Sequence, residues 1–386
     1  MSNKRKYAVF IKNYCIGKSS PVICLLELLS DMGEVDVFVQ STSHLTATVL
    51  TKPNVNLICL DRGKAAGIAH RIGLIWNDFC ASLSLPRRND LSYSKYHACI
   101  GLDPHGFLLC KEMFPSANSV YYYSLEIYLR TNHFNLLYPR KAMEKEHREI
   151  TSIKGLLIQS IEREIIFREE YQLSVHIPTF ILPVTYLEKS QKAKSNLLRS
   201  KFNIKPETKV ALHLGAIREY FSCIELANAF SKIPKWVLIF HGHSSSRYVD
   251  TLKGVIDQNR LSNIFISGEP FELIEDMDPI VMSCDLGLAW YNNLSPNFTT
   301  SGKSSGKISA YLRFGLPVIA NKYPSTVDAI EYTGCGVCVD DFDDIPDAVR
   351  KIEMNYQVYS DNCRKEYDKV YWFDNYRKGL TEFIDG

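Results

Sequence analysis

The sequence predicts an α/β protein made of two successive doubly wound units. Three observations lead there. Short apolar runs of about four to six residues recur along the chain, as strands of a parallel sheet buried on both faces do. Segments with helical spacing separate them, so strands and helices alternate. The length of 386 residues is more than one such sheet needs and suits two domains, each with its own core.

Composition narrows the function classes. At 46% hydrophobic and 23% charged residues the chain is ordinary globular material. A net charge of +2 gives no electrostatic case for nucleic acid. No apolar run approaches the ~20 residues that cross a bilayer. The opening MSNKRKYAVFI lacks the apolar core and cleavage site of a leader, so a cytosolic start is expected. Of eleven cysteines, Cys335 and Cys338 alone have CxxC spacing, with no second pair or nearby His to complete a zinc site. Packed, reduced thiols are expected.

The elements follow in order. Tyr7–Ile11 is the first strand. Lys12 to Ser19 then has the spacing of a phosphate-binding P-loop, with Gly17-Lys18-Ser19 in place but lysine where the first glycine belongs. The same residues suit a helix start, with Ser19 or Ser20 capping, Pro21 in the first turn and Leu25, Leu26 and Leu29 packing. Val35–Val39 and Val55–Leu60 are strands, and helical patterning runs from Lys64 to Ser84 before the basic pair Arg87-Arg88. Strand Ala98–Leu102 delivers Asp103, Pro104 and His105, and strand Val120–Ser124 delivers Glu126. Ligands of an open parallel sheet gather at the carboxyl ends of its strands, so Asp103, His105 and Glu126 are site candidates by position. Each also suits a turn former, a surface imidazole or a cap. A mixed-charge helix follows Leu137, GLLIQSIEREIIFREEY is expected as a second helix, and Thr179–Pro183 closes the first half. Residues 1–185 make the first domain, and lysine-rich 186–200 a linker.

The second series occupies 201–372. Strands at 210–214, 236–240, 264–266 and 286–290 end in Gly215 to Arg218, His241-Gly242-His243, Ser267-Gly268-Glu269 and Tyr291-Asn292. The stretch SGKSSGKISAYLRFGLPVIA, Ser301 to Ala320, reads as a Ser/Gly loop, a helix from Lys307 to Phe314, a left-handed stop at Gly315 and a buried strand. Free N–H groups at such a helix start, with Lys303 and Lys307 beside them, suit a phosphate or diphosphate. They equally suit a capped helix with solvated lysines. Gly215, Gly242, Gly268 and the 301–307 loop all follow strands and so share one rim, which favours the anion.

The series HLGAIRE, WVLIFHGHS, IFISGEPF, CDLGLAWYNN and SSGKISAYLRFGLPVIA resembles the donor-binding domain of GT-B glycosyltransferases of the group-1, family-4-like kind. The first half resembles their acceptor domain through DMGEVDVFV, VYYYSLEIY and FILPV, and YWFDNYRKGLTEFI resembles the terminal helix, 373–386, that returns to it. The resemblance implies two Rossmann-like domains facing across a cleft, and sugar transfer from a nucleotide-diphosphate sugar to a glycan or lipid-linked acceptor. It further implies a role in cell-surface polysaccharide synthesis at the cytoplasmic face, with retention of configuration, or inversion if Asp103 or Glu126 serves as a base. An epimerase of the same fold, or an inactive partner subunit, is the alternative. Gly215 then lets backbone approach the donor, and Arg218 faces the diphosphate. Gly242, Ser267 and Gly268 border the nucleotide, and Tyr291 and Asn292 lie beside the donor. Ser304, Ser305, Gly306 and Lys307, with Tyr311 behind them, hold the diphosphate. Asp103, Glu126 and His105 are the acid–base candidates, with Arg218 and Lys307 stabilising the leaving group. No metal or other cofactor is implied, because Asp341, Asp343 and Asp344 read as a helix cap rather than a DxD metal motif. Relatives carry two glutamates where this chain has Gly302 and Ala310.

Overall fold

The computed structural model describes residues 5–11, 16–39, 48–60, 93–131, 140–242, 246–268 and 273–386. The chain divides into two units. The first comprises Met1–Ile158, Phe167–Ile181 and Arg377–Gly386, and the second Gln159–Ile166 and Leu182–Tyr376.

Seven strands form the sheet of the first unit: β1 (Lys6–Ile11), β2 (Glu34–Val39), β3 (Val55–Cys59), β4 (Ala98–Leu102), β5 (Val120–Tyr123), β6 (Gly155–Ile158) and β7 (Thr179–Ile181). Their spatial order is β3-β2-β1-β4-β5-β6-β7, every neighbouring pair parallel. Helices α1 (Ser20–Met32), α2 (Asp103–Met113), α3 (Arg140–Glu149) and α4 (Ile161–Tyr171) connect or follow strands. Covered faces explain why β4 and β5 are apolar without alternation, since every residue of both is buried. Pro21 sits in the first turn of α1, where its missing N–H costs nothing.

The second unit holds β8 (Lys209–Leu214), β9 (Trp236–His241), β10 (Ile264–Ser267), β11 (Leu286–Ala289), β12 (Val318–Asn321) and β13 (Gly336–Val339). They lie in the order β10-β9-β8-β11-β12-β13, again all parallel. Helices α5 (Cys223–Ser231), α6 (Ser246–Gln258), α7 (Gly306–Arg313), α8 (Ile345–Met354) and α9 (Tyr356–Glu366) follow, and α10 (Asp374–Asp385) ends the chain. Strand order reverses between β8 and β11, and the crevice at their carboxyl ends is where such sheets bind ligands.

One side chain fixes α7 against that reversal. Tyr311 is fully buried. Its hydroxyl accepts the Leu214 N–H at 2.9 Å and donates to the Leu212 carbonyl at 2.9 Å, with the Leu288 carbonyl 3.3 Å away. Gly287 in β11 makes room for the ring, because a Cβ there would come within 2.2 Å of it.

At the chain terminus, residues of α10 belong to the first unit. Tyr121 of β5 donates to the Phe383 and Ile384 carbonyls at 3.0 and 3.1 Å. Arg377 pairs with Asp31 at 2.8 Å, and Arg5 pairs with Asp385.

Several elements depart from expectation. GLLI is strand β6, and only Ile161–Tyr171 is helical. Four apolar residues ended by a polar Gln-Ser turn suit a buried strand, and the helical pattern beyond masked it. The Ser301–Gly306 loop contains a helical turn, Ser301–Ser304, before α7 begins. A break at Asn355 separates α8 from α9. The helix expected at 64–84, Arg87-Arg88 and the P-loop's Lys12 lie outside the described residues. Asp341 accepts the Asp343 N–H at 3.1 Å, as the cap reading requires.

Gly287→Ala should lose about 1–3 kcal/mol through overpacking against Tyr311. Gly254→Ala, in the interior of α6 with nothing within 4 Å of the added carbon, should gain about 0.5–1 kcal/mol. Urea-unfolding midpoints of the two variants check both signs.

Candidate functional site

The site begins where β8 ends. Gly215 adopts φ +112°, a conformation L residues rarely take. Its N–H donates to the His241 carbonyl at 2.9 Å. Gly242, at the end of β9, backs onto it so closely that a Cβ would lie 2.0 Å from the Gly215 carbonyl oxygen. Residues 216–222 then form a loop that carries Arg218 and a turn, Glu219–Phe221. Asn292, just after β11, ties this loop down. Its Nδ2 donates to the Glu219 carbonyl at 3.1 Å, its N–H to the Tyr220 carbonyl at 3.0 Å, and its Oδ1 accepts from Ser222 Oγ at 2.7 Å.

The other wall is the start of α7. Ser305 is its N-cap, with Oγ accepting the Ile308 N–H at 3.3 Å and bonded to the Tyr291 hydroxyl. The N–H groups of Gly306 and Lys307, first in the helix, have no backbone partner among the described residues. Lys307 Nζ is shielded from solvent and has no hydrogen-bond partner among the described residues. It lies 4.2 Å from the ring centroid of Phe221 and 4.8 Å from that of Tyr291. Gly215 leaves space beside it, since a Cβ there would stand 3.9 Å from Lys307 Cε. Burial pulls the Lys307 pKa down to about 8, with the nearby Cys223 thiol acting weakly the other way. His213, inside β8, is held neutral by burial and by the Lys307 charge. Its Nε2 meets the Ala216 carbonyl at 3.2 Å while Nδ1 has no partner among the described residues. Arg218 makes no side-chain hydrogen bond or ion pair among the described residues. The end of β8 and the start of α7 thus carry two unneutralised cations and free main-chain donors. That is the chemistry of an anion cradle.

The other expected residues separate into groups. Gly215, Tyr291, Ser305, Gly306 and Lys307 come together at the cradle, and Arg218 lies on the loop between Gly215 and Phe221. Asn292 and Gly242 support it from behind. Tyr311, expected at the ligand, is instead the core pin at the strand reversal. Ser304 Oγ donates to the Thr300 carbonyl at 3.0 Å and accepts from Arg163 at 3.2 Å. Ser267 is 1% exposed, its Oγ bonded to His241 Nδ1 at 3.0 Å and Lys201 at 3.2 Å, whereas Gly268 is open. Lys303 is neutralised by Asp328 at 3.0 Å. In the first unit, Asp103 is 2% exposed, and its Oδ1 accepts the Leu125 and Glu126 N–H groups at 2.6 and 3.1 Å. It locks the ends of β4 and β5 together. His105 is half-buried in α2 and Glu126 is exposed. His213, Phe221 and Cys223 were missed by sequence reasoning. The aromatic pair Tyr220-Phe221, three residues from Arg218, was the available signal.

Gly302 has no room for a side chain, because a Cβ would lie 2.0 Å from the Ser325 carbonyl oxygen. Ala310 is 1% exposed in the core. Gly302 could not carry a carboxylate in this backbone.

Residues 262–371 match the family model of the glucosyltransferase 3-like C-terminal domain. No curated protein sequence matches the chain. Among solved structures, HepE from Anabaena, in complex with UDP and glucose, is similar over 98% of this chain and 99% of its own, at 13% identity and TM-score 0.73. Sucrose-phosphate synthase from Thermosynechococcus elongatus matches over 98% of each chain, at 13% identity and TM-score 0.67. A glycosyltransferase from Rickettsia africae matches over 99% of this chain and 98% of its own, at 12% identity and TM-score 0.62. The fold is GT-B. Within the GT-B fold the cradle lies in the second Rossmann-like unit, at the reversal of strand order.

The depressed Lys307 pKa carries a stability signature. In the unfolded chain this lysine titrates near its ordinary 10.5, in the folded chain near 8. The strain of the buried charge is therefore full below pH 8 and disappears by pH 10.5. Lys307→Met should be more stable than wild type at pH 7 by about 2–3 kcal/mol. The difference should shrink between pH 8 and 10, as read by urea unfolding across that range.

Proposed function

We propose that this protein transfers a sugar from a nucleotide-diphosphate donor, UDP-hexose in the first instance, to a glycan or lipid-linked acceptor in cell-surface polysaccharide synthesis. The observation that carries the proposal is Lys307, a buried ammonium with no counter-ion among the described residues. A buried cation without an anion is costly, and a diphosphate seated against it removes that cost. As the glycosidic bond breaks, charge gathers on the departing diphosphate. Lys307, Arg218 and the first N–H groups of α7 then stabilise the transition state more than the ground state. HepE, solved with UDP and with UDP-glucose, supplies the choice of uridine donor.

Bound UDP or UDP-glucose should raise the melting temperature of the wild type by mass action. Arg218→Ala and Lys307→Ala should each lower the transfer rate by about 10²-fold or more. Affinity for UDP should fall as pH rises through about 8, where Lys307 loses its proton. Isothermal titration at pH 6.5 to 9.5 reads that limb, and full UDP affinity in Lys307→Ala would overturn the proposal. The closed backbone at Gly302 favours one other reading, a partner subunit that has lost turnover. That reading expects no transfer and no UDP binding, with a stable complex with an active relative.

A further inference from the structure

A cation that serves an anionic ligand meets a conflict before the ligand arrives. A carboxylate partner would hold it but cancel its charge. Bare burial would keep the charge available but drive the proton off. The surroundings of Lys307 resolve this with rings. Nζ rests 4.2 Å from the centroid of Phe221 and 4.8 Å from that of Tyr291. The two rings meet edge to face, with centroids 5.7 Å apart and planes at 72°. Phe298 packs against both at 5.9 and 6.0 Å. A ring quadrupole attracts an ammonium without neutralising it.

The groups around Nζ are few. Among the described residues they are His213 on β8, held neutral, Cys223 at the start of α5, and Tyr291 after β11. Among the described residues no carboxylate pairs with Lys307.

We propose that Phe221, seconded by Tyr291, is a positioning residue that seats the Lys307 ammonium by cation–π attraction and keeps it charged in the empty site. Phe221 touches no reacting atom in this scheme and acts through Lys307. The proposal rests on the reading of the cradle as a diphosphate site. Tyr291 has a second duty, because its hydroxyl bonds the Ser305 cap of α7. Phe221 has no polar atom to share and is the cleaner probe.

The test compares wild type, Lys307→Met, Phe221→Leu and Phe221→Tyr by titration with UDP from pH 6.5 to 9.5. Removing the ring destabilises the charged lysine, so Phe221→Leu should move the alkaline loss of affinity down by about half to one pH unit, equivalent to about 0.7–1.4 kcal/mol. Phe221→Tyr, which keeps the ring, should restore it. An alkaline limb that is unmoved or moves up in Phe221→Leu overturns the seat. Wild-type UDP binding that is absent, or that survives Lys307→Met, overturns the diphosphate reading instead, so the two failures are distinct. If Phe221→Leu does not fold, proton NMR of the wild type decides. Lys307 Hε resonances, assigned by their loss in Lys307→Met, should be shifted upfield by the ring currents, and unshifted resonances overturn the seat.

Discussion

A positive charge shut away from water, with no negative charge among the described residues to meet it, is the constraint around which the second unit is arranged. Lys307 holds that charge at the carboxyl ends of β8 and β11, where strand order reverses. Its neighbours are what such a charge tolerates. There is a glycine without a Cβ at 215, aromatic faces at 221 and 291, and a histidine kept neutral at 213. Each of these choices leaves the charge in place, and a carboxylate would not.

Holding such a group requires a rigid frame, and the frame is separate from the chemistry. Tyr311 joins α7 to both central strands through one hydroxyl, deep in the core. Asn292 fixes the loop bearing Arg218 with three hydrogen bonds to its backbone and to Ser222. Neither residue offers a free group to a ligand. Loops position binding groups well only when a scaffold over-determines them, and here polar side chains turned inward do that work.

Much of this was legible in the sequence. Parallel strands buried on both faces read as uninterrupted apolar runs, so most of the strands among the described residues could be placed from pattern alone, whereas β6 was read as helix. Glycines after strands, and a serine before a lysine at a helix start, marked the rim. What could not be read was which polar residues faced inward. Tyr311 sits on a helix beside the cradle, and only its zero exposure shows that it points at the strands. Asp103 has the chemistry of a base, but its carboxylate is occupied by two backbone N–H groups from the next strand's loop. The seat of Lys307 was hidden because its parts come from positions 215, 221, 291 and 307, which only the folded sheet brings together.

Gly302 is wedged against the carbonyl of Ser325, on the neighbouring turn that starts at Pro324. A glutamate cannot be introduced there by changing one codon, because the Pro324–Thr326 turn would have to retreat at the same time. An acidic side chain at this position goes with a different path for that turn, so residue 302 and the turn are coupled and can change only together.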